Sequence, residues 1–203
     1  MKEKINIKLF VDSIFRNKKK IFQRLESRIK DLERYFYIKS EYKRGNIKNN
    51  LGFQCVYRQL YGMNTASLTD DFFKEYFELL AYKETDLKII LSKLFKIPRR
   101  DGANAVQFVF ATKLLHTIDN NLPIYDSLVG EEFELEVDGE NTNDRIDSCI
   151  KTHDKLKQYH KELLNNKIIK NIILSFRVEF NCDKKKISDA KVLDFLIWAK
   201  GQI

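Results

Sequence analysis

The sequence predicts an all-α protein. Apolar residues recur at helical spacing over most of the chain, residues that interrupt helices are scarce, and Ser, Thr, Asp or Asn stands at the head of several apolar runs. With Gly 7 and Pro 2 in 203 residues, against Phe 15 and Tyr 9, the composition disfavours a turn-rich β-sandwich and favours helices packed through aromatic rings. The 43% of hydrophobic residues suffices for a full core, built as one all-α domain or as two helical lobes with a cleft. In the divided form, an N-terminal helical pair over residues 5–44 precedes a main lobe over residues 52–203. The loop Arg44-Gly45-Asn46-Ile47-Lys48-Asn49-Asn50-Leu51-Gly52 would separate the two.

From Ile5 to Tyr42 the pattern is helical, with Ile21, Leu25, Leu32 and Phe36 on one stripe. Glu26 and Lys30 form a favourable (i, i+4) pair on its outer face. The basic run Lys18-Lys19-Lys20 reads as a solvated face. Phe53–Tyr61 reads as a short buried helix. Thr69 caps a helix over Asp70–Leu80 whose Phe72, Phe73, Tyr76 and Phe77 form a core stripe. Thr85 caps the next helix, with Leu87, Ile90, Leu91 and Leu94 turned inward.

The centre of the chain is Asn104–Val129, read as a buried helix, a Pro123 loop, and Asp126 opening a second helix. The helix is apolar all round in its first turns, at Ala105, Val106 and Val109. It then turns Thr112, Lys113, His116 and Thr117 away from Phe108, Phe110, Leu114, Leu115 and Ile118, so its end should emerge into a cleft or solvent. Gln107 is the polar residue within the apolar sector. Asp126 is a helix cap or a working carboxylate, and Lys113 is a solvated lysine or a half-desolvated amine; the residues alone leave both pairs of readings open.

Beyond Val129, Phe133, Leu135 and Val137 alternate with Glu132, Glu134 and Glu136, which predicts a β-ribbon or an extended segment over 132–138 with a turn at Asp138-Gly139. Asn143 or Asp144 caps a long helix to Asn165. Ile168–Phe180 is a buried helix or a strand, its length favouring helix. Ser188 caps Asp189–Lys200, so apolar that it must dock on the core, with Gly201 at its C-terminal end.

The residues around the central helix resemble those of helix-hairpin-helix DNA glycosylases. Phe-Ala-Thr-Lys113-Leu-Leu followed by Leu-Pro-Ile-Tyr-Asp126-Ser-Leu-Val is similar to that family's lysine helix and capping aspartate, over residues 86–129. The preceding loop, Ile97-Pro98-Arg99-Arg100-Asp101-Gly102, stands where the family has its glycine-rich hairpin, with one glycine. The resemblance implies a DNA-repair enzyme in which Asp126 supports departure of a base and Lys113 attacks the sugar. His116, Tyr125 and Gln107 would line the cleft. The phosphate of double-stranded DNA would rest on Lys96, Arg99, Arg100 and the N–H groups near Gly102. The same two arginines could instead pair with Asp101.

The net charge of +8 suits nucleic acid or another acidic partner, although the lysines are mostly scattered. Two other readings therefore stand beside the enzyme: a non-catalytic DNA-binding module, and a cytoplasmic interaction protein. Cys55, Cys149 and Cys182 follow no ligand or disulfide spacing and fit free thiols in a reducing cytoplasm. Cys149 and His153, one turn apart, lack a third metal ligand; they read as a core cysteine and a surface histidine. Asp126 and Glu136 lack the lysine a metal-dependent nuclease would carry, Asp138 standing in its place. Arg145 and His153 miss the ribonuclease Arg–His spacing. No cofactor motif and no apolar run of membrane-spanning length occurs.

Overall fold

A computed structural model describes residues 7–203, and the part of the first predicted helix before Ile7 lies outside them. Among the described residues there are helices and no strands. They are α1 (Ile7–Glu26), α2 (Ile29–Arg44), α3 (Leu51–Leu60), α4 (Asp70–Ala81), α5 (Leu87–Phe95), α6 (Phe108–Ile118), α7 (Ser127–Glu132), α8 (Thr142–Asn165), α9 (Lys167–Glu179) and α10 (Asp189–Lys200), with a short 3-10 turn at Met63–Thr65. The fold is all-α.

The chain forms two compact units, neither contiguous in sequence. The first takes Met1–Ile29, Asn120–Glu136 and Thr152–Ile203; the second takes Lys30–Asp119 and Val137–Lys151. The Arg44–Gly52 loop lies inside the second unit.

In the first unit α10 packs on α1, α9 and α7, and α1 packs on α9. Its core joins Ile14 and Ile21 to Leu156, Leu163, Ile169 and Ile187, all fully buried, with Val192, Leu193, Leu196 and Ile197 from α10 equally closed off. Phe133 lies between Phe10 and Tyr159, at ring separations of 4.9 and 5.5 Å. The Ser188 hydroxyl caps α10 by accepting from the Lys191 N–H at 3.1 Å, and donates at 2.7 Å to the Asn120 carbonyl. Ile168–Phe180 forms α9, capped by Asn166, so the β-branched run is helix.

In the second unit α4, α5 and α6 pack on one another. The aromatic stripe of α4 is core: Phe72, Phe73, Tyr76 and Phe77 are buried, and their rings meet Phe53, Tyr57 and Phe110. The hydroxyls in this core are paired. Tyr57 and Tyr76 share a hydrogen bond of 2.9 Å, Tyr76 donates to the Phe110 carbonyl, and Tyr57 meets Thr117 Oγ1 at 3.0 Å. Burial holds both phenols well above their ordinary pKa, so they stay protonated and able to donate.

Several boundaries differ from expectation. The first helical stretch breaks at Ser27-Arg28 into α1 and α2, which removes the continuous turn on which the Glu26–Lys30 pairing depended. Asp86, not Thr85, caps α5, because its carboxylate accepts from both the Lys88 and Ile89 N–H groups. Asn141 does the same for α8, accepting from the Asn143 and Asp144 N–H groups where Asn143 or Asp144 was expected as the cap. The central helix starts at Phe108 rather than near Asn104: the Asn104 amide donates to the Phe95 carbonyl at 2.6 Å, tying the approach segment back to the end of α5. No β-ribbon forms over 132–138; α7 runs through Glu132, and the Leu135 N–H closes its end on the Gly130 carbonyl at 2.8 Å.

Because Leu193 is fully enclosed, Leu193→Ala is expected to cost about 2–5 kcal/mol, read as a fall in the urea midpoint at unchanged slope. Ending the chain before Ser188 should abolish the cooperative transition altogether.

Candidate functional site

The carboxylate of Asp126 is a helix cap. Its backbone is extended, its Oδ1 accepts from the Val129 N–H at 2.9 Å, and its carbonyl accepts from Gly130. Tyr125 straps the same turn, donating its hydroxyl to the Leu135 carbonyl at 3.2 Å. That strap requires Gly130, since a Cβ there would stand 2.8 Å from the Tyr125 oxygen. Both side chains are half-buried.

Lys113 lies on α6 in the second unit. Its ammonium donates to the Tyr61 carbonyl at 3.0 Å and sits 5.2 Å from the centre of the Phe110 ring. The expectation that this side of α6 emerges into a cleft or solvent needs correction, because Thr112 and His116 are buried and the His116 ring packs against Tyr35. Gln107 occupies the N-cap position of α6, half-buried, without a side-chain bond to the helix.

The basic turn is also in the second unit. Gly102, at φ +81°, lets the chain fold back on itself. Its N–H groups are already used: Arg99 donates to the Ala103 carbonyl, Arg100 to Ser67, Gly102 to Arg99, and Ala103 to the Asp101 carboxylate. The amides expected to cradle a phosphate therefore serve the turn, and residues 103–107 separate it from the first turn of α6. Arg99 is ion-paired with Asp101, whose acidity is raised first by the Ala103 N–H and then by that guanidinium. Arg100 and Lys96 are exposed.

The units thus divide the expected site residues. Asp126 and Tyr125 belong to the first; Lys113, Gln107, His116, Lys96, Arg99, Arg100 and Gly102 belong to the second.

Two groupings in the first unit were not visible from sequence. The first is a buried polar cluster. On α10, Lys191 and Asp194 form an ion pair of 2.6 Å with side chains 4% and 11% exposed, and the Lys191 ammonium also lies over the Phe195 ring. On α8, His153 is buried, not on the surface, and holds the Pro123 carbonyl at 3.3 Å. His160 is 3% exposed, and neither ring nitrogen has a hydrogen-bond partner among the described residues. Asp194 and His153 are the charged or titratable groups that act on it. Desolvation lowers both imidazoles to about 4, so they are neutral at neutral pH. In the second unit, the Cys149 thiol is pushed up to about 12 by burial, which disfavours the thiolate a metal would need. No group of three or more His, Cys, Asp or Glu suited to a metal occurs among the described residues.

The second grouping lies on the surface of α1. No acid interrupts the chain between Asp12 and Glu26. Arg16, Lys20 and Arg24 stand at successive i+4 positions and so form one row along the helix, rising about 6 Å per step. Arg28 continues the spacing beyond the last turn. Arg16, Lys19 and Lys20 are exposed, and none is paired with a carboxylate among the described residues. The row ends at an indole: the Arg24 and Arg28 guanidiniums lie 5.6 and 5.8 Å from the centre of the Trp198 ring. Periodicity alone hides this, since an i+4 row matters only once the wet face of the helix is known.

Comparison with protein-family models, with curated proteins and with solved structures found no match. No helix among the described residues is long and apolar enough to cross a membrane.

Two outcomes follow from this geometry. Asp126→Ala should cost about 1 kcal/mol through loss of the cap, while Asp126→Ser, which keeps an acceptor, should recover most of it in urea denaturation. For the histidines, an unfolded imidazole binds a proton near pH 6.5, whereas the folded rings resist until about 4. The stability they confer is complete above pH 6.5 and drains away as the pH falls towards 4, by on the order of 3 kcal/mol per ring. Thermal melts at pH 7.5 and pH 5 should show that loss shrinking in His160→Leu; an unchanged difference between the two pH values would contradict the assignment.

Proposed function

We propose that this chain is a nucleic-acid-associated helical protein that holds the phosphate backbone of DNA without cutting it. The observation that carries the reading is the row Arg16–Lys20–Arg24 on α1, exposed along most of its length, with no acid between Asp12 and Glu26. Lysines and arginines on one helix face supply the sequence-independent part of DNA binding by displacing condensed counterions. The Lys96, Arg99 and Arg100 turn of the second unit is a further basic locus that can add to it.

Binding is favoured over glycosidic-bond chemistry by what the two implied catalytic groups already do. The Asp126 carboxylate serves the Val129 N–H, and the Lys113 ammonium serves the Tyr61 carbonyl. A base held in that way is poorly prepared to attack a sugar as a neutral amine.

Fluorescence anisotropy with labelled DNA at several salt concentrations tests the reading. Arg16→Ala/Lys20→Ala is expected to weaken binding roughly tenfold at low salt and to flatten the log–log salt slope on duplex DNA by about 1.8, or 0.9 per phosphate contact. Affinity indifferent to salt, or untouched by the double substitution, would overturn it. Borohydride should trap no protein on abasic DNA; trapping lost in Lys113→Gln would restore the lyase chemistry.

A further inference from the structure

The row on α1 does more than present positive charge, because it runs into an aromatic ring. Trp198 is the single tryptophan of the chain and lies in the last turn of α10. Its neighbours Leu196, Ile197 and Ala199 are closed off from water, whereas the indole remains partly open. Two guanidiniums fix it. Arg24, itself steadied by a 3.1 Å hydrogen bond to Gln202 Oε1, and Arg28 both lie within 6 Å of the ring centre. Every part of this arrangement belongs to the first unit.

A nucleobase needs two things from a protein surface that binds it irrespective of sequence: a π face for the base, and a cation close by for its phosphate. Paired bases inside a duplex are stacked on one another and cannot offer a face to a fixed ring. Resting on the reading of α1 as a phosphate-binding row, we infer that Trp198 is a base-stacking platform at the end of that row, and that the preferred nucleic acid is single-stranded or carries unpaired bases. The cations Arg16, Lys20 and Arg24 track the backbone, and the strand's next base lies against the indole. The same face of α1 carries exposed Leu9, which makes an anionic lipid surface the competing occupant for the test to exclude.

Because the chain has one tryptophan, its emission reports directly on this ring. The experiment titrates the full-length protein with an oligothymidine strand, a blunt duplex, heparin and phosphatidylserine vesicles. Quenching of the indole by the single strand is expected, together with at least tenfold weaker binding of the blunt duplex. Heparin, a polyanion without bases, should bind with little quenching. Trp198→Ala should weaken single-strand binding about five- to a hundredfold, as loss of one base–aromatic stack does. Trp198→Phe, which keeps a ring for Arg24 and Arg28, should regain most of that affinity, and circular dichroism confirms that both variants fold.

Single-strand binding that depends on Arg16 and Lys20 but leaves emission unchanged, or a duplex bound as tightly as the strand, would overturn the stacking platform and leave the phosphate row standing. Absence of any DNA binding would remove both. Vesicles that shift the emission to the blue and displace the strand would assign the surface to lipid instead.

Discussion

The first unit is governed by a helix with almost no wet side. Over Ala190–Ile197, α10 exposes only Phe195 to any extent, and even Lys191 and Asp194 are buried in it. A helix apolar all round must be surrounded, and α1, α7 and α9 do so. The Lys191–Asp194 pair is the one exception to the apolar rule. Taking two charges out of water costs nearly what their attraction returns, so its contribution is better sought in register than in stability. A helix that slid or rotated by a residue would leave both charges buried without each other. Trp198 reaches the surface because α10 is fixed in this way.

The elements that sequence could locate are those where one physical signal dominates. The stripe of α4 repeats aromatic residues at helical spacing, and Thr69 and Ser188 have no competitor as caps. Where two local solutions compete, pattern failed. Thr85 and Asp86 are both acceptable caps, and only the contacts reveal that the carboxylate takes two amides. Ala105, Val106 and Gln107 look helical but are held out of α6 by Asn104, whose amide reaches a carbonyl nine residues back. Asp126 was legible as a cap. His153 was not legible as buried, because its partner is a carbonyl thirty positions away, and no periodicity encodes that.

The two units satisfy their buried polar groups differently. In the second, Tyr57, Tyr76 and Thr117 share neutral hydroxyl bonds with the carbonyls of α6 at Phe110 and Lys113, so the core carries polarity without charge. The first unit buries an ion pair and an imidazole with no hydrogen-bond partner among the described residues. Neutral networks tolerate changes in proton concentration; titratable ones do not.

A final consequence lies in the order of the chain. The first unit needs α1 together with α9 and α10, yet these elements stand near opposite ends of the sequence, while most of the second unit is a continuous block between them. A ribosome releases α1 long before the helices it must pack against exist. Until α9 and α10 have been made, the buried face of α1, with Ile14 and Ile21, has no native surface from them to meet, while the block from Lys30 to Asp119 emerges earlier. Closing a loop of that size is entropically slow. The nascent chain therefore carries an amphipathic, basic helix in search of a surface, which is the kind of segment that chaperones hold until its partners, α9 and α10, have emerged.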